Sequence, residues 1–89
     1  MTWTINYAAS VRRSLKKISP EHRRRLRKFI DTRLATAQNP RSMGKALQGA
    51  SFDNLWRYRV GDYRLIAQIE DKDITILIVR IGHRKDVYR

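Results

Sequence analysis

The chain contains no cysteine, which excludes disulfides, thiolate nucleophiles and cysteine-ligated zinc. It has only two histidines, so a metal site would have to lean on carboxylates, and these are scarce as well. Asp and Glu total 8 against 20 Lys and Arg, giving a net charge of +12. No metal and no cofactor are expected. No apolar run reaches the 18 residues or so of a membrane span, and Met1 to Tyr7 lacks the apolar core of a signal peptide. The expectation is a cytoplasmic protein with no membrane partner. A glycine-rich phosphate loop, paired catalytic carboxylates and a Ser-His-Asp set are also missing.

What is present is a folded-protein composition carrying an unusual charge. Hydrophobic residues make up 42% of 89 residues, enough for a globular chain with one modest core and a single domain spanning residues 1–89. A domain of this size buries only about 60 to 65% of its unfolded surface. A sequence pI near 11.1 points to nucleic acid, an acidic protein or an anionic membrane surface as partner. The same charge repels itself, which favours an acidic companion.

Hydrophobic spacing divides the chain into elements. Trp3, Ile5 and Tyr7 alternate with Thr4 and Asn6, the period of a half-buried strand. From Ala8 to Ile18, Val11, Leu15 and Ile18 form one helical stripe, with Arg12, Arg13, Lys16 and Lys17 on the wet side. Ser19, Pro20 and Glu21 read as an N-cap, a first helical position and a first-turn acid. Leu26, Phe29, Ile30 and Leu34 continue the second helix among six cations, and the two helices are expected to form a hairpin. Asn39 and Pro40 end it. Residues 41–54 read mainly as loop, with Leu47 tucking into the core.

The C-terminal third reads as a three-strand meander. Leu55 to Val60 and the strand after it flank Gly61 and Asp62, a two-residue hairpin signal in which glycine supplies positive φ. If Val60 pairs with Tyr63, then Arg59 opposes Arg64, Tyr58 opposes Leu65, Arg57 opposes Ile66 and Trp56 opposes Ala67. Trp56, Tyr58, Val60, Tyr63, Leu65 and Ala67 then share the core face, and Arg57, Arg59 and Arg64 the other. After a turn at residues 70–73, Ile74 to Ile81 is apolar on both faces except at Thr75 and Arg80. It reads as a central strand, and the face of Arg80 depends on a single residue of turn length. The order is βααβββ, an α+β fold in which a helical hairpin packs on one face of an antiparallel sheet.

The Arg59 and Arg64 pair is the sharpest chemical clue, because like charges directly opposite across strands are destabilising. A solvated face whose arginine stems cover apolar surface is one explanation. The other is a phosphate-binding face, for which the planar guanidinium is suited. The ending Gly82-His83-Arg84-Lys85-Asp86-Val87-Tyr88 adds acid–base and cationic groups; it is either a frayed basic terminus or a segment that Gly82 turns back towards the arginine face. The basic second helix is as well explained by solvation as by nonspecific contact with nucleic acid. RNA suits such a residue set, since its own 2′-hydroxyl can attack the adjacent phosphate while the protein orients it and neutralises charge.

The element order, the stretch from Leu55 to Ile66 (LWRYRVGDYRLI) and the ending from Val79 to Tyr88 (VRIGHRKDVY) closely resemble the RelE branch of the RelE/ParE toxin superfamily. The likeness spans nearly the whole chain. It implies a toxin of a toxin–antitoxin pair that enters the ribosomal A site and cleaves translated mRNA by metal-independent 2′-hydroxyl attack. Carried over by residue, Arg64 matches the phosphate-stabilising arginine, Arg84 the arginine that stabilises charge or protonates the leaving oxygen, and Tyr88 the tyrosine that orients the base or acts as general base. Arg57 matches one of two lysines placed two apart on the first meander strand. Leu55 stands at the other, a departure that removes a cation, with Arg59 on the same face as a candidate replacement. His83 is a further candidate acid or base, and Arg80 and Lys85 join Arg57 and Arg59 as expected substrate-binding cations.

The partners implied are a RelB-like antitoxin, the ribosomal RNA and mRNA, and operator DNA only through the antitoxin. A different class of function is a noncatalytic, ParE-like inhibitor of DNA gyrase, which does not need the His-Arg…Tyr ending. A third is a silent paralogue that only binds its antitoxin.

Overall fold

The computed structural model describes residues 2–47 and 54–83. The chain runs β1 (Thr4–Tyr7), α1 (Ala9–Lys17), α2 (Pro20–Phe29) with a π-helical continuation (Ile30–Leu34), a 3-10 turn (Pro40–Met43), β2 (Lys45–Ala46), β3 (Leu55–Val60), β4 (Tyr63–Glu70) and β5 (Thr75–His83). The described strands form one sheet in the order β1-β5-β4-β3-β2. This is the α+β arrangement expected from the sequence, with β5 and β4 central.

The helical stripe and the strand alternation meet in one core. Val11, Leu15, Leu26, Ile30 and Leu34 from the helices pack with Tyr58, Val60, Leu65, Ala67, Ile69, Ile76, Ile78 and Ile81 from the sheet. Apart from Ile81, these positions follow the 3.6-residue or 2-residue period of their elements, so one face of each element leaves water together. Ser19 stands at the N-cap of α2 but makes no side-chain capping bond; its carbonyl accepts from the Arg23 amide instead. At the other end, the Ala35 amide reaches back to the Ile30 carbonyl, and the hydroxyls of Thr32 and Thr36 donate to carbonyls four residues earlier. Such back-bonding loosens the helical ladder and accompanies the wider π turn, which brings Ile30, Leu34 and Ala35 inward together.

Three features depart from the sequence expectation. The sheet is mixed, because β1 lies parallel to β5 while the other pairs are antiparallel. Local pattern carries no information about the relative direction of two strands nearly a whole chain apart. Residues 41–47 are more than a loop: β2 runs antiparallel to β3, with Lys45 opposite Arg57 and Ala46 opposite Trp56, while 48–53 lie outside the described residues. Leu47 is half-buried and donates its amide to the Leu55 carbonyl rather than joining the core cluster.

The 3-10 turn is tied down at two places. The buried Tyr58 hydroxyl donates to the Pro40 carbonyl at 2.7 Å, and the Arg41 guanidinium makes a bidentate pair with Asp71 in the β4–β5 turn at 3.0 and 2.6 Å. The bond from Arg41 holds the Asp71 carboxyl below its usual range. Burial pushes the Tyr58 phenol from 10.0 up to about 12. The unfolded chain releases this proton near pH 10 and the folded chain only near 12, so the phenol's contribution to stability is complete below pH 10 and is lost as pH rises towards 12. Tyr58→Phe is therefore expected to cost about 1 to 3 kcal/mol at neutral pH by leaving the Pro40 carbonyl unsatisfied. It should also flatten the loss of stability between pH 10 and 12, both effects being read from urea denaturation across pH.

Candidate functional site

The β3–β4 hairpin closes through Gly61, at φ +59°, and Asp62, and its pairs are those the turn dictates: Val60 with Tyr63, Arg59 with Arg64, Tyr58 with Leu65, Arg57 with Ile66 and Trp56 with Ala67. Tyr58, Val60, Leu65 and Ala67 face the helices. Arg57, Arg59 and Arg64 consequently share the opposite face.

Two rows of residues cross that face. One runs Lys45, Arg57, Ile66 and Arg80 from β2 to β5, and the next runs Arg59, Arg64 and Gly82. The face of Arg80 is thereby settled: a bulge opposite Ile66 and Ala67 leaves Val79 as an extra residue, so Ile78 and Ile81 both point to the core while Arg80 points out. Ile66 lies on this outer face yet is only 8% exposed, flanked across the strands by Arg57 and Arg80, whose aliphatic stems suit such cover.

Between β3, β4 and the 3-10 turn lies a pocket of about 380 Å³, lined by Ser42, Met43, Gly44, Lys45, Arg57, Arg59 and Arg64. No acidic residue lines it among the described residues. Arg64 is 4% exposed, the one buried charged side chain among the described residues. Its Nη1 donates to the carbonyls of Tyr63 at 3.1 Å and Gly61 at 3.4 Å, which orients the guanidinium along the hairpin. Burying a cation is costly unless its donors are used, and a concave site walled by further cations stabilises an incoming anion. Gly44 makes this wall. A Cβ there would stand 2.7 Å from the Arg57 carbonyl oxygen and 2.8 Å from a Tyr58 ring carbon, so only glycine lets the turn approach β3 this closely.

His83 is not part of this arrangement. The expectation that it converges on the arginine face is corrected by the register: it pairs with Tyr63, an inward-facing position, while its neighbour Gly82 pairs with Arg64. Its ring meets the edge of Tyr63 at 5.9 Å, and Tyr63 in turn meets His22 of α2 at 5.5 Å. The bulge at Val79 sets this parity. Arg84, Lys85 and Tyr88 lie outside the described residues.

Comparison with known proteins agrees with this fold. Residues 5–88 match the family model for the ParE toxin of the type II toxin–antitoxin system parDE. The chain belongs to the RelE/ParE family of type II toxins. It is 32% identical to Toxin RelG of Mycobacterium tuberculosis, over 100% of this chain and 99% of that protein. Among solved structures, it is similar to the RelBE2 toxin–antitoxin complex of Mycobacterium tuberculosis, with TM-score 0.84 and 29% identity over 97% of this chain and 95% of that one. It is also similar to the archaeal RelE–RelB complex of Pyrococcus horikoshii, with TM-score 0.76 and 30% identity over 98% and 100% of the two chains. The isolated RelE toxin of E. coli, at 19% identity and TM-score 0.73 over 97% of this chain and 90% of that one, shares the fold.

Sequence reasoning brought together Arg57, Arg59 and Arg64 in this toxin but missed Ser42, Met43 and Lys45. These lie in a stretch with no strand period, and only pairing with β3 assembles them beside the arginines. Gly44→Ala tests the wall of the pocket. It is expected to destabilise the toxin by about 1 to 3 kcal/mol through overpacking against backbone, measured as a lowered midpoint in thermal or urea denaturation.

Proposed function

We propose that this toxin is a ribosome-dependent endoribonuclease that cuts translated mRNA in the A site without a metal. The observation that carries the reading is the pocket with Arg64 buried in its wall and Arg57 and Arg59 beside it, lined by no acid among the described residues. A phosphodiester seated there meets bidentate donors on its nonbridging oxygens. The nucleophile is the substrate's own 2′-hydroxyl: its oxygen bonds to the adjacent phosphorus, the 5′-oxygen leaves, and the products are a 2′,3′-cyclic phosphate and a 5′-hydroxyl. One proton must leave the 2′-oxygen and one must reach the 5′-oxygen. The family resemblance gives the first task to Tyr88 and the second to Arg84, with Arg64 stabilising charge on the phosphorane. Arg57, Arg59, Arg80 and Lys85 hold the RNA backbone. His83, edge-on to Tyr63 at the helix side of the sheet, takes no role in this scheme.

The same charge supports the remaining assignments. At +12, the toxin needs an acidic or amphipathic antitoxin of the RelB kind to cover the arginine face, and it acts in the cytoplasm, where ribosomes are met. Operator DNA is reached through the antitoxin. Structures similar to this chain are complexes of RelE-type toxins with RelB antitoxins.

A second reading, inhibition of DNA gyrase without catalysis, is favoured by one observation: the matching family model is that of ParE toxins. The two readings part at the substitutions. For the nuclease, Arg64→Ala should lower cleavage of a translated message by about 10²- to 10³-fold, the usual cost of losing one charge-stabilising donor, and Arg84→Ala and Tyr88→Phe should also suppress it. Primer extension on a translated message reads the cuts within codons. Growth arrest without new cuts, persisting in Arg84→Ala and Tyr88→Phe and accompanied by loss of gyrase supercoiling, would establish the gyrase reading instead.

A further inference from the structure

We infer that Lys45 is an additional substrate-binding residue, contacting a backbone phosphate of the A-site codon next to the one held by the arginines. The inference rests on the nuclease reading of the face and adds to it a residue from an element that no sequence pattern announces.

Three observations converge on Lys45. It is the residue of β2 directly opposite Arg57, so it extends the cross-sheet row of Arg57, Ile66 and Arg80 by one strand. It lines the same pocket as Arg57, Arg59 and Arg64. It also stands next to Gly44, whose missing side chain is what allows β2 to lie against β3 at all.

The energetics make an idle Lys45 hard to explain. Lys45 opposite Arg57 and Arg59 opposite Arg64 are two successive like-charge pairs on adjoining strands, each of which works against pairing. Among the described residues, no acidic side chain lines the pocket. A polyanion crossing the sheet resolves the conflict by placing phosphates between cations. Neighbouring strands are about 4.8 Å apart, so the row from Lys45 to Arg80 spans three steps, about 14 Å. That is room for more than one phosphate. Lys45 is exposed, unlike the buried Arg64, and carries a flexible ammonium rather than a planar fork. It fits a backbone grip at the rim better than charge stabilisation at the reacting phosphorus. It also supplies a cation on the same face as Leu55, whose own side chain supplies none.

The test uses the full-length toxin and ribosomes programmed with a short mRNA whose A-site codon carries 2′-O-methyl groups, which block cleavage. Affinity is measured against salt concentration for the wild type, Lys45→Gln, Lys45→Arg and Lys17→Gln, the last removing one charge from α1 on the helix side. Lys45→Gln should bind several-fold more weakly and lower the salt slope by about 0.7, the value for one phosphate contact on a single strand. Lys45→Arg should restore both, and Lys17→Gln should match the wild type. A methylphosphonate placed in turn at each codon phosphate should, at one position, weaken the wild type and leave Lys45→Gln unaffected. An unchanged slope in Lys45→Gln, an equal loss in Lys17→Gln, or equal methylphosphonate effects in wild type and Lys45→Gln would overturn the role of Lys45 with the nuclease reading intact. Failure of the wild-type toxin to bind programmed ribosomes would overturn both.

Discussion

The pairing of β3 with β4 through Gly61 and Asp62 is the constraint on which the other features turn. A two-residue turn admits one register, and a slip of one residue would exchange the two faces of both strands. With Val60 opposite Tyr63, Tyr58, Val60, Leu65 and Ala67 enter the core and three arginines are gathered on the far side. The site is thus a by-product of the same alternation that makes the core.

Like charges meet across the strands on the arginine face. Arg59 lies across from Arg64, Lys45 across from Arg57, and Arg64 is almost fully withdrawn from water. The fold tolerates this because the helix side of the sheet is continuous and apolar, from Val11 and Leu15 to Ile76 and Ile78. The apolar core and the cationic rows are divided between the two sides of one sheet.

Smaller devices set the outer face in detail. The bulge at Val79 turns Arg80 outward beside Ile66 and sends His83 to the helix side, where it meets Tyr63. The hydroxyl of Tyr58 and the Arg41–Asp71 pair hold the 3-10 turn, so that Gly44 and Lys45 meet β3. One inward tyrosine therefore anchors the core and also fixes the pocket wall on the opposite side of its strand.

By itself the sequence determined the helices, the meander, the hairpin register and the shared face of Arg57, Arg59 and Arg64. All of these follow from periods and turn chemistry that act over a few residues. The roles expected of Arg84 and Tyr88 came only from family resemblance, and both lie outside the described residues. Tertiary structure alone decided the parallel direction of β1, the pairing of β2, the faces of Arg80 and His83, the burial of Arg64 and the arrival of Lys45 and Ser42 at the pocket. Each depends on contacts between segments far apart in the chain, or on a single extra residue in β5 whose two faces are both apolar. Hydrophobic pattern is silent about such contacts, because it records which residues leave water and not which strand they meet when they do.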